Sequence, residues 1–274
     1  MDIFSGNKSN TNLQNGSQGG FQGGFQQPNF QQQPTFATQP TFGGSQISTQ
    51  PTFGGAQTST QTQFGLNKGP DANGVFNLGK GDTLSLTKVN TALNHIKIGL
   101  GWDPPVDQNG FTAQGVQFDL DAMVFLLGAD HKVVTQRHFV FYKNLISPDG
   151  CVKHSGDNRT GMGDGDDESI DVLLRQVQLE VKRIAVVISI DDAIARNQKF
   201  GDVRNAFARI EDQLTHKEIA RFDLTQRYSD SICLIVGEFV RIGDSTEWTF
   251  EARGEGTRER LDVVCHSFGE MINY

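Results

Sequence analysis

The chain has 274 residues, a formal net charge of -8 and a hydrophobic content of 36 %. That length admits one large domain or one domain with a tail, and the acidic balance argues against a general nucleic-acid surface, which needs a basic face. No basic region followed by an apolar core opens the chain, and no run approaches the roughly 20 apolar residues of a membrane helix, so a cytoplasmic protein is expected.

Residues 1–74 are nearly devoid of charge and of aliphatic β-branched residues and consist mainly of Gln, Gly, Thr, Ser, Pro and Phe. QPNF begins at Gln27 and QPTF begins at Gln33, Gln39 and Gln50. Too little aliphatic surface exists here to offset the entropy of ordering, so a disordered tail is predicted through Gly69. The spaced Phe21, Phe25, Phe30, Phe36, Phe42, Phe53 and Phe64 leave two readings open: an inert tether, or a segment whose aromatics make weak multivalent contacts with other copies or with a partner.

Residues 75–274 read as one globular domain dominated by strands. Residues 75–88 alternate around a turn at 79–82, and residues 95–102 alternate again. Residues 116–128 begin alternating and end as a continuous apolar run. Short strands are predicted at 138–142 and 151–154, and an alternating one at 169–174. RIAVVISI, residues 183–190, is apolar on both faces and fits a central strand. A short surface helix should follow, with Asp191 as its N-cap. Strands then succeed one another to residue 256, and a terminal helix from residue 257 places Leu261, Val264, Cys265 and Phe268 on one face with Gly269 as its cap. Many strands and few helices predict a mainly β protein, a β-sandwich with a short surface helix and a C-terminal helix, preceded by the disordered tail.

Cys151, Cys233 and Cys265 lack any CxxC spacing, which argues against a zinc site and for reduced, buried thiols. Trp102 and Trp248 read as core or rim residues. GLGWD lacks the Lys-Ser/Thr that would follow in a phosphate loop.

The chemistry concentrates in HSGDNRTGMGDGDDES, residues 154–169. Asp157, Asn158, Asp164, Asp166, Asp167 and Glu168 all offer oxygen, and the glycines among them permit sharp bends. Oxygen donors select hard cations, and a flexible cage suits calcium better than magnesium. Residues 157–168 have the length of an EF-hand loop but not its pattern: Arg159, Gly161 and Met162 occupy its third, fifth and sixth positions. FDLDA adds Asp119 and Asp121 on one strand face, in an apolar segment where an unpaired carboxylate is costly. Asp103 follows a strand, with Asp107 and Asn109 in the next loop. Convergence of these strand ends on the acidic loop would suit two adjacent ions. Arg159 reads either as an internal counter-ion or, in the preferred reading, as a side chain facing solvent.

LGKGDTLSLTK, IGLGWD, FDLDA, FVFYKN, SPDGCVKHSGDNRTGMGDGDDESIDVLL, VVISIDDAIARNQKFGDVRNAFARI, IARFDL and GEFVRIGDSTEWTFEARGEG occur in an order that resembles the TerD-type tellurium resistance family. The resemblance spans residues 75–269 and leaves the tail outside. It implies a calcium-binding β-sandwich without enzymatic activity, in a cytoplasmic bacterial protein linked to tellurite, chemical stress and phage. It further implies an adaptor or scaffold working with other proteins of a tellurium-resistance or stress operon, and peripheral membrane association through them. The calcium ligands carried over are Asp119, Asp121, Asp157, Asn158, Asp164, Asp166, Asp167 and Glu168, with Asp103 beside them and backbone carbonyls near Thr160 and Gly161 completing the shell of two calcium ions. The insertion PPVDQNGFTAQGVQ departs from a tight connection and is expected to reshape the rim of the site.

Two other functions stand against this one. A metal-dependent hydrolase could use the same carboxylates, but no histidine has an evident catalytic partner: His154 flanks the loop and His131 and His138 lie far away in sequence. A structural protein self-assembling through the Phe-rich tail differs from the adaptor only in its partners.

Overall fold

The computed structural model describes residues 69–113 and 115–270. All of them fall within one compact unit, Ser59–Tyr274. The predicted disorder of residues 1–68 lies outside the described residues.

Among the described residues, twelve strands form two six-stranded sheets. The first sheet contains β1 (Phe76–Asn77), β3 (His95–Asp103), β6 (Val152–His154), β7 (Glu168–Leu173), β9 (Arg204–Asp212) and β10 (Lys217–Asp223), in the order β1-β10-β9-β3-β7-β6. The second contains β2 (Thr83–Ser85), β4 (Leu120–Leu127), β5 (Phe139–Val140), β8 (Arg183–Ile190), β11 (Cys233–Arg241) and β12 (Trp248–Thr257), in the order β2-β12-β11-β8-β4-β5. Every pairing is antiparallel except β1 with β10. The β-sandwich expected from the strand pattern is the observed architecture.

The inner faces bury one large core that includes Ile98, Leu100, Leu120, Val124, Val172, Ile188 and Phe250. Both tryptophans lie at this core, 2 % exposed. A second apolar cluster covers the outer face of β4 and β8. There α4 (Leu261–Ser267) places Val264 and Cys265, with Phe268, against Met123, Phe125, Ala185 and Val187. Phe125 stacks between Phe139 at 4.3 Å and Phe268 at 4.7 Å. This coverage explains why β4 and β8 are continuous apolar runs: neither face of either strand meets water. Gly269 closes the helix with a positive φ of 82°, as its place after the last apolar residue predicts.

The observed elements depart from the sequence reading in three places. Residues 75–88 do not form one hairpin: β1 joins the first sheet, β2 the second, and the following residues wind into the short helix α1 (Leu86–Val89). The surface helix is only α2 (Ala193–Arg196), bounded by Asp192 and Asn197 in the left-handed conformation, and Asp192 rather than Asp191 occupies its N-cap position. The terminal helix begins at Leu261 because β12 continues to Thr257. The short helix α3 (Leu224–Arg227) follows β10 and is capped by Asp223, whose carboxylate accepts the Gln226 N–H.

Candidate metal centre

The acidic loop, residues 155–167, joins β6 to β7 and folds back on the end of β3. Asp167 N–H donates to the Leu100 carbonyl at 2.8 Å, and Trp102 N–H donates to Asp167 Oδ2 at 2.9 Å. Asp166 is held more firmly. Arg209 Nε and Nη2 reach its two oxygens at 2.6 and 2.9 Å, and Lys97 Nζ lies 2.9 Å from Oδ2. Burial pushes the Asp166 carboxyl up, but the hydrogen bonds from Arg209 and Lys97 outweigh it and leave the pKa below the ordinary value. Glycines make this approach possible. A Cβ on Gly99 would overlap the Asp166 carboxylate, and a Cβ on Gly161, which has a φ of 64°, would overlap the Trp102 indole.

Asn158 organises the rest of the loop. Its Oδ1 accepts from Thr160 N–H at 3.1 Å and Gly161 N–H at 3.3 Å, while its amide donates to Asp167 Oδ1 at 3.0 Å. Glu168 ties the loop to the second sheet. β5 pairs only with Val124 and Phe125, so the preceding part of β4 lacks a strand on that side. The Ala122 N–H there donates to Glu168 Oε2 at 2.8 Å, and Asn158 N–H donates to Oε1 at 3.2 Å. His154 caps the Ala122 carbonyl through Nε2 at 3.0 Å, while its Nδ1 accepts from Gly156 N–H. Both ring nitrogens of this buried histidine are thereby committed to backbone.

Asp119, Asp121 and Asp157 converge: one oxygen from each lies within 4.8 Å of the others. Asp119 and Asp121 are 3 % and 5 % exposed, whereas Asp157 is exposed. Asp119 accepts a hydrogen bond from Arg159 Nε at 3.1 Å. Arg159 thus acts as a counter-ion to Asp119 while its side chain stays 60 % exposed, so both readings of it hold in part. Burial still raises the Asp119 pKa, with Asp157 and Asp191 adding to the effect and Arg159 opposing it. Asp121 has no hydrogen-bond or ion-pair partner among the described residues. Burial, followed by repulsion from Glu168, Asp119, Asp191 and Asp157, pushes its carboxyl up to about 8.

The sequence-predicted site residues thus fall into distinct environments. Asp119, Asp121 and Asp157 come together. Asn158, Asp167 and Glu168 border them and make hydrogen bonds within the loop and to the strands. Asp166 faces Lys97 and Arg209. Asp103 and Asp164 line a separate cavity of about 390 Å³ beside Trp102 and Phe207, where Asp103 also accepts from the Asn205 amide at 2.6 Å. Asp191 escaped the sequence reading, which assigned it to a helix cap. Its N–H donates to the Asp119 carbonyl at 2.8 Å and its charge acts on both buried aspartates. The available signal was its place directly after a central strand. Cys151, Cys233 and Cys265 are free and buried, and burial raises all three thiol pKa values, those of Cys233 and Cys265 to about 12.

The donor set around Asp121 consists of carboxylates, which suits a hard cation, and an unpartnered buried carboxylate is a place where a cation relieves both desolvation and repulsion. The TerD domain model matches residues 75–268. The chain belongs to the TerD-domain family. The tellurium resistance protein TerD of Serratia marcescens is 43 % identical over 192 residues, covering 70 % of this chain and 96 % of that protein. General stress protein 16U of Bacillus subtilis is 42 % identical over 198 residues, covering 72 % of this chain and 99 % of its own length. A crystal structure of a TerD homologue from Streptomyces coelicolor superposes with a TM-score of 0.53 at 24 % identity, covering 66 % of this chain and all of that one, and shares the fold. Among the described residues no helix is long and apolar enough to cross a membrane.

Proposed function

We propose that this TerD-domain protein is a calcium-binding, non-catalytic module of a tellurium- and stress-resistance system, acting as an adaptor or scaffold. The convergence of Asp119, Asp121 and Asp157, with Asp121 buried and unpartnered, carries the calcium reading. A divalent ion would supply the charge neutralisation that the fold leaves unmet there, and would tie the acidic loop to the start of β4. Asp119, Asp121 and Asp157 would hold it, with Asn158 and Asp167 adjoining. A second ion would take the cavity edged by Asp103 and Asp164.

The resistance role rests on the family and on relatives named for tellurium resistance and general stress. The non-catalytic reading draws support from His154, whose two nitrogens are engaged with backbone and leave it no free position as a general base. In this reading the partners are other proteins of the same resistance system, the location is cytoplasmic, and any membrane contact passes through those partners. The Phe-rich tail would provide self-association.

The test is calorimetric titration of chelator-treated full-length protein with calcium and then magnesium, with melting temperature followed in parallel. Calcium should bind at about 10 µM or tighter and raise the melting point, because it favours the folded state. Asp121→Asn and Asp157→Ala should each weaken it by about tenfold or more. Absence of heat and of a melting shift in the folded wild type would reject the calcium reading.

A further inference from the structure

Beside the carboxylate cluster, a cavity of about 490 Å³ opens between the start of α4, the α2 turn and the ends of β4 and β8. Its position follows from the fold. α4 covers the outer face of β4 and β8 over Met123, Phe125 and Val187, but begins at Leu261, leaving Asp121 and its cross-strand neighbour Ser189 at the edge of that cover. Ile190, Ile232, Leu261 and the Tyr142 ring supply apolar wall.

The charges around this cavity are unbalanced. Asp121, Asp191, Asp192 and Glu259 line it with the guanidinium of Arg260; Asp191 is paired with Arg196 at 3.3 Å and Arg260 with Asp262 at 3.2 Å. Asp121 combines 5 % exposure with the absence of a partner among the described residues. Its neighbour Asp119 is already served by a guanidinium from the chain itself, since Arg159 Nε lies 3.1 Å from Oδ2. Arg159 does not line the cavity, so the carboxylate facing the cavity lacks the cation that its neighbour has.

We propose that this cavity binds a small organic cation, an aliphatic amine or guanidine, with its charged end on Asp121 and its alkyl body against Ile190, Ile232 and Leu261. An anion would meet four carboxylates and one guanidinium. A neutral apolar guest would leave Asp121 unpaired in a drier surrounding, which costs more than the open state. An organic cation satisfies the carboxylate and the apolar wall together. Because Asp121 also belongs to the metal cluster, the organic cation and a metal ion exclude one another. The two sites share Asp121, but Asp157 completes the metal cluster without lining the cavity and so distinguishes them.

The experiment is calorimetric titration of chelator-treated full-length protein with n-butylammonium, butylguanidinium and the neutral isostere butylurea. The two cations should bind about tenfold more tightly than butylurea, and Asp121→Asn should lose about tenfold of that affinity. Asp157→Ala should leave cation binding within about twofold while weakening calcium binding by about tenfold or more, which separates failure of one proposal from failure of the other. Leu261→Trp, which narrows the cavity, should weaken butylguanidinium and spare calcium. A short peptide carrying one arginine distinguishes the source: tighter binding than butylguanidinium points to a partner protein's side chain, weaker binding to a free small cation, and either order upholds the site. No cation binding by folded wild type up to about 20 mM, equal binding of butylurea, or undiminished binding by folded Asp121→Asn would each overturn it.

Discussion

Asp166 and Arg209 form a two-point ion pair, with oxygen–nitrogen distances of 2.6 and 2.9 Å, directly above the space left by Gly99. Asp166 comes from the acidic loop and Arg209 from the neighbouring β9, so the loop is fastened to the first sheet by its own charge. Two-point guanidinium–carboxylate pairing fixes direction as well as distance.

Arg209→Met should therefore destabilise the metal-free protein by about 2 kcal/mol, the scale of hydrogen bonds to charged groups. It should also weaken calcium binding although arginine cannot be a ligand. Gly99→Ala should do the same by forcing the Asp166 carboxylate away. Denaturant unfolding and calcium titration of the two variants check this. Unchanged calcium affinity in both, with the stability loss present, would show that the fastening does not order the site.

Glu168 and Asp121 should respond in opposite ways to neutral replacement. Glu168→Ala strips the acceptor from the buried Ala122 N–H and should cost about 1–3 kcal/mol in metal-free protein. Asp121→Asn replaces a buried carboxyl that has no partner among the described residues, and above about pH 8, where that carboxyl is charged, it should stabilise the metal-free protein while lowering calcium affinity. Urea denaturation with chelator present reads both signs. Equal destabilisation by the two changes would contradict the assignment.

The pH dependence of stability carries a mark of Asp121. Its folded pKa lies at about 8, against 3.8 for the ordinary group. Between these values the folded protein holds a proton that the unfolded chain has released. This contribution is full below the unfolded value and is lost as pH rises through 8. His138, whose pKa burial lowers, acts in the opposite direction as pH falls through 6.5. The difference between wild type and Asp121→Asn isolates the aspartate: metal-free wild type should lose melting temperature relative to the variant as pH is raised from about 5.5 to 8.5. Parallel melting curves would remove the basis for this shift.

Phe125→Ala should cost about 3–5 kcal/mol, because Phe125 is fully buried between Phe139 and Phe268. The cavity it leaves lies under α4, away from the acidic loop. Calcium affinity of the folded fraction should stay within about twofold of wild type.

Strand periodicity revealed most of the sandwich because alternation and double-faced apolar runs are consequences of layer burial. RIAVVISI corresponds to β8 at both ends. What periodicity could not convey is which sheet a short strand joins, so residues 75–88 read as one hairpin while β1 and β2 belong to different layers. The loop was legible as an oxygen-rich cluster, and FDLDA as a costly interruption of an apolar strand. Local sequence did not reveal that Lys97 and Arg209, from two other strands, meet Asp166. Nor did it reveal that Arg159 turns back across the loop to Asp119. Such pairings depend on strand order, which no local pattern contains.

The bond from Ala122 N–H to Glu168 Oε2 crosses from one layer of the sandwich to the other beside the aspartate cluster. One amide proton therefore serves as a gauge for the whole end of the molecule. Its solvent exchange should slow when a cation closes the acidic loop, and quicken when either layer shifts, so a single resonance reports on charge balance and layer registry together.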